Sequence, residues 1–165
     1  MSSRALAIAA ACVAAACVAA PVLAQSSGGD RTLTFRVLNK GSRSHYVDNP
    51  PRNRNRHRRP TFSVGDEFVL ASPLADDSGR IGELRVTCAI TKRTLATNSF
   101  NPGHPLCTGA FVTKNGALFA QTVDSGGKTT NGAIVGGTGA YAGARGTFTG
   151  TNSKTGEIDE VHLLP

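Results

Sequence analysis

Residues 136–150, GGTGAYAGARGTFTG, place six glycines in fifteen positions. Glycine takes positive φ without steric cost, so Gly136, Gly137 and Gly139 specify a sharp turn. Beyond it, Tyr141, Gly143, Arg145 and Thr147 alternate with Ala142, Ala144, Gly146 and Phe148. That is the period of a strand, and one is expected over residues 141–150. The glycines do not make a nucleotide cradle. In a G-x-G-x-x-G fingerprint that starts at Gly137, Ala142 stands where the third glycine belongs, and no amphipathic helix follows. The Gly-Lys-Ser/Thr of a phosphate loop is absent as well.

The rest of the chain reads as further strands. Residues 31–38 put Leu33, Phe35 and Val37 on one face and Thr32, Thr34 and Arg36 on the other. Strands are expected at 67–71, 80–92, 107–113, 117–123, 133–135 and 158–164. Turn chemistry separates them: Asp76-Asp77-Ser78-Gly79, the Asn115-Gly116 pair that favours a tight hairpin, and 152–156. Residues 39–60 have no apolar period and carry Pro50, Pro51 and Pro60, so they read as a long loop. No capped amphipathic helix interrupts this pattern. The fold class is therefore all-β, a single domain of about eight antiparallel strands. Closure into a barrel removes the exposed edges; periodicity alone also admits a sandwich.

The first 24 residues read as a secretory signal: Arg4, an apolar run from Ala5 to Ala20, and Val22-Leu23-Ala24 at a cleavage position. Residues 25–30 then form a flexible tail and 31–165 the domain. No second apolar run is long enough to span a membrane. Cys88 and Cys107 remain after cleavage, an even pair in an oxidising compartment, and are expected to form a disulfide. The net charge of +7 is concentrated at residues 51–60. Arg52, Arg54, Arg56, Arg58 and Arg59 lie there without an acid, a basic patch suited to an anionic cell surface or simply to solvent. No aromatic residue interleaves them, so nucleic acid is not the expected partner. His45, His57, His104 and His162 are scattered, and no metal or cofactor motif is present.

The run Gly136-Gly137-Thr138-Gly139-Ala140-Tyr141-Ala142-Gly143-Ala144-Arg145-Gly146 resembles the GGTG-(K/A)-(F/Y)-x-x-ARG signature of the dirigent and allene oxide cyclase barrel superfamily, in particular its small secreted bacterial members. The resemblance extends in turn order from about Gly65 to Leu164. It implies an eight-stranded barrel whose interior holds an apolar small molecule and steers a cyclisation or isomerisation without a cofactor, through orientation. A homo-oligomer is compatible with it. It also implies that Arg145 lies at the cavity and stabilises negative charge; the alternative is a structural arginine that pairs with Glu67 or Asp66 across strands. Tyr141 and Phe148 are candidate ligand-binding residues beside Arg145. Dirigent proteins carry Asp-Asp-Pro-Leu on an early strand, whereas this chain has Ala71-Ser72-Pro73-Leu74. Asp66 and Glu67 are then the candidate acids, either buried with a raised pKa or exposed and ordinary.

Overall fold

A computed structural model describes residues 30–49, 63–91, 105–123 and 127–165. The expected signal, most of the tail and the arginines at 52–59 lie outside the described residues. Nine strands follow one another: β1 (Arg31–Leu38), β2 (Arg43–Val47), β3 (Glu67–Asp76), β4 (Gly79–Ile90), β5 (Pro105–Thr113), β6 (Gly116–Val123), β7 (Thr129–Gly137), β8 (Gly146–Asn152) and β9 (Gly156–Leu163). All pairings are antiparallel, in the order β1-β9-β8-β7-β6-β5-β4-β3-β2. A further pairing of β1 with β3 closes eight strands into a barrel.

The expected loop at 39–60 is corrected by β2. Val37 pairs with Leu74, and after a short turn Arg43 pairs with Ala71 and Val47 with Glu67. Thus β1 and β2 run in succession along β3. β2 left no apolar period because its residues are mostly exposed; main-chain pairing, not burial, makes it a strand.

Alternation fills the barrel. Phe35, Val37, Leu74, Leu84, Phe111, Leu118, Phe148 and Val161 are buried in one cluster. On β6 the inward residues are Leu118 and Ala120, while Phe119 and Val123 are exposed. Phe35 stacks on Phe111 with centroids 5.1 Å apart, and Phe111 meets the Phe148 ring edge-on at 6.0 Å.

The glycine-rich run differs from the expected strand. It forms a 3-10 turn at Gly139–Tyr141 and enters β8 only at Gly146. Main-chain bonds from Thr138 to the Ala117 carbonyl and from Ala140 to that of Asn115 fold the turn onto the β5–β6 hairpin. Tyr141 is thereby buried in the core cluster. The half of the barrel near this turn is packed; the half that holds the start of β3 and the end of β4 is not.

Candidate functional site

In that second half the walls leave a cavity of about 180 Å³. Leu70 on β3, Leu84 and Val86 on β4, Phe111 on β5, Ala120 on β6 and Phe148 on β8 supply apolar surface. Phe148 lies across from Gly132 on β7, where a Cβ would come within 2.2 Å of its ring, so the missing side chain is what lets the ring lie against the wall. Cys88 and Cys107 are a directly paired couple on β4 and β5 and form a disulfide that lines the cavity.

Two acids face this apolar space. The inner face of β9 reads Glu157, Asp159 and Val161, and both Glu157 and Asp159 line the cavity. Asp159 is only 2% exposed. Across from it stand Phe35 on β1 and Gly150 on β8. A Cβ at Gly150 would fall 2.1 Å from Glu157 Oε1 and 2.6 Å from Asp159 Oδ1, so this glycine makes room for the pair. Asp159 Oδ1 is buried with no hydrogen-bond partner among the described residues. Burial, and secondarily the neighbouring Glu157 charge, pushes the Asp159 carboxyl up to about 8. At neutral pH it is mostly a protonated acid.

The sequence-derived catalytic and ligand-binding candidates fall elsewhere, except Phe148. Arg145 is exposed, precedes β8, and donates from Nη2 to the main-chain oxygen of Pro165 at 3.1 Å. It does not reach the cavity, and the cross-strand partnership with Glu67 or Asp66 is corrected too, because β8 pairs with β7 and β9 and not with β3. Tyr141 is buried at the packed half and is not part of the cavity wall. Glu67 is half-buried and off the cavity wall.

Asp66 is fully buried, but it is not the raised acid that burial alone would give. Burial works to raise its pKa, and hydrogen bonds outweigh it and hold the carboxyl below the usual carboxylate range. Those bonds come from the Tyr46 hydroxyl, the Ser63 amide at 2.6 Å, the Asn49 amide at 3.0 Å and the Ser63 hydroxyl at 3.0 Å. Asp66 therefore ties Asn49 to Ser63 and has no capacity left for a guest.

The acids on β9 had a sequence signal. Val161 and Leu163 set the inward parity, and counting back by two reaches Asp159 and Glu157. Ile158, apolar but 40% exposed, obscures that parity.

In fold this is an allene oxide cyclase/dirigent-like barrel. Among solved structures, a pyocyanin demethylase is similar with a TM-score of 0.62 and 25% identity, over 81% of this chain and 100% of that one. A pterocarpan synthase dirigent protein shares the fold with a TM-score of 0.50 and 16% identity, over 82% of this chain and 92% of that one. No family model matches the sequence, and no curated protein does.

Proposed function

We propose that this chain is a secreted barrel that encloses an apolar small molecule and steers its cyclisation or isomerisation, with Asp159 as the acid. The observation that carries this reading is the buried, unpartnered Oδ1 of Asp159 facing an apolar cavity. A carboxyl so placed stays protonated near neutrality and donates a proton where the guest gains electron density. An isomerisation returns that proton when the product forms, so no co-reactant is consumed. The aromatic and aliphatic walls hold one folded shape of the guest, which lowers the entropic part of the barrier. Similarity to a pyocyanin demethylase over the whole of that chain supports a small-molecule guest. The Cys88–Cys107 disulfide supports an oxidising compartment.

The test is retention of a guest. The protein is incubated with a lipid extract of its producer and examined by native mass spectrometry. A discrete bound species is expected with the natural chain and not with Ala120→Leu, which fills the cavity with extra methyl groups. Thermal unfolding of both proteins checks that they are folded. If the folded natural chain retains nothing, or if both retain the same species, the reading is wrong.

A further inference from the structure

Charge is unevenly spread over the outside of the barrel. β9 turns Glu160 and His162 outward, whereas no outward residue of β5 or β6 is ionisable. A groove of about 370 Å³ crosses this uncharged side from β3 to β6, with Val69, Ala71, Thr87, Ala110 and Phe119 among its walls. Val69 is 42% and Phe119 41% exposed, so both offer apolar surface to the outside. Arg85 is the only ionisable side chain among the described residues that line the groove. We propose that this groove binds an anionic amphiphile, a carboxylate on an alkyl chain, with the carboxylate on Arg85 and the chain against Ala110 and Phe119. The site lies outside the barrel and does not depend on the interior cavity or on its acid.

Register builds the groove. Residues directly opposite one another in a sheet share a face. Arg43 pairs with Ala71, Ala71 with Arg85, Arg85 with Ala110 and Ala110 with Phe119, so one outward row runs over five strands. The two alanines keep the floor low on either side of Arg85, and Phe119 stands up at the far end. From Arg85 to Phe119 the row crosses two strand spacings, about 10 Å, a length that a medium alkyl chain covers. Arg85 Nε donates to Glu83 Oε2 at 2.8 Å, and Arg43 Nη2 donates to Glu83 Oε1 at 3.0 Å. One carboxylate thus serves two guanidinium groups, and one positive charge is left over. The Nη atoms of Arg85 make no hydrogen bond to a described residue, and such paired donors match the two oxygens of a carboxylate.

Other occupants fit less well. A cationic amphiphile would lay its head against Arg85 and be repelled. An uncharged one would bind by apolar contact alone and gain nothing from the arginine. A second copy packed through the same patch about a two-fold axis would oppose its own Arg85 to this one, like charge to like charge. The Arg85 side chain is 66% exposed, so its attraction for a carboxylate is modest, and the alkyl chain supplies most of the affinity.

Decanoate and decyltrimethylammonium, which share a chain and differ in the sign of the head, test this below their micelle concentrations. Titration of the full chain is followed by methyl NMR. Decanoate is expected to bind about fivefold more tightly than the cation, the scale of a contact between exposed charges. It should shift the outer methyls of Val69, Thr87 and Ala110 and leave the inner ones of Leu84 and Ala120 in place. Arg85→Gln, a surface change, should remove the preference, and Arg85→Lys should keep most of it; the free spectra show that both variants fold. Equal binding of the two probes, no binding of decanoate, or a preference that survives Arg85→Gln overturns the site. Shifts confined to the inner methyls overturn it as well, because the chain would then have entered the barrel. Sedimentation of the free protein covers the remaining occupant: self-association that Phe119→Ser abolishes would show that a second copy fills the groove, and the proposal would fall.

Discussion

Asp159 loses its proton near pH 3.8 in an unfolded chain and only near pH 8 in the barrel. The sign of the linkage follows. Below pH 3.8 both states are protonated and burial of this group is least costly. Between about pH 4 and 8 the unfolded chain releases the proton and the folded one retains it, so folding loses stability as pH rises. The slope approaches about 1.4 kcal/mol per pH unit for one full proton. Asp66 acts in the opposite sense: its lowered pKa gives a contribution present above pH 3.8 and lost as acid titrates the folded carboxylate. Denaturant midpoints of the natural chain should therefore fall from pH 5 to pH 8, and those of Asp159→Asn should stay nearly level. A parallel decline in both proteins would mean that Asp159 already ionises in the fold. Among the described residues the two buried aspartates thus differ through their partners, four donors at Asp66 and none at Oδ1 of Asp159. Residue type alone does not carry that difference, which is why Asp66 was legible as an acid in the sequence but not as a saturated one.

Among the elements, the glycine-rich turn carries the resemblance, but its local geometry differs from the strand that its alternation predicts. Alternation from Tyr141 onward looked like a strand because small residues satisfy any period; the chain there turns through Gly139–Tyr141 and Gly143 instead. Two glycines in it have positive φ, Gly139 at 60° and Gly143 at 75°, but different surroundings. A Cβ at Gly139 would lie 2.4 Å from the Asn115 carbonyl oxygen, whereas nothing stands within 4 Å of one at Gly143. Gly143→Ala should then cost only the left-handed backbone penalty, about 1–2 kcal/mol. Gly139→Ala has to displace the β5–β6 hairpin as well and should cost clearly more, measured as the difference in unfolding free energy. Equal losses would show that the turn yields without moving the hairpin. The Asn115-Gly116 hairpin was legible because its turn chemistry is specific. β2 was not, because a polar strand that lies along one neighbour leaves no periodic trace.

At the scale of the barrel, a packed half near the Gly139–Tyr141 turn supports a half that stays open around Asp159, whose Oδ1 has no partner among the described residues. The disulfide belongs to the open half, joining Cys88 and Cys107 where β4 and β5 pair. The two cysteines are 19 positions apart, so the bond closes a short loop in the unfolded chain. In the entropy model this is worth about 3 kcal/mol, acting on the unfolded state and not on the native contacts. Nine residue pairs already hold β4 to β5, from Gly82 with Thr113 to Ile90 with Pro105, so the native register does not depend on the bond. The double substitution Cys88→Ala and Cys107→Ala should accordingly leave the barrel's circular dichroism unchanged. It should lower the unfolding free energy by about 3 kcal/mol and increase the denaturant slope, because an unbridged chain exposes more surface when it unfolds. The cavity should still take its guest, since the two sulfurs are a small part of an apolar wall set by Phe111, Phe148 and Leu84. Loss of the native spectrum would show that the bond positions β4 against β5. Loss of guest binding at full stability would show that the sulfurs themselves make the contact.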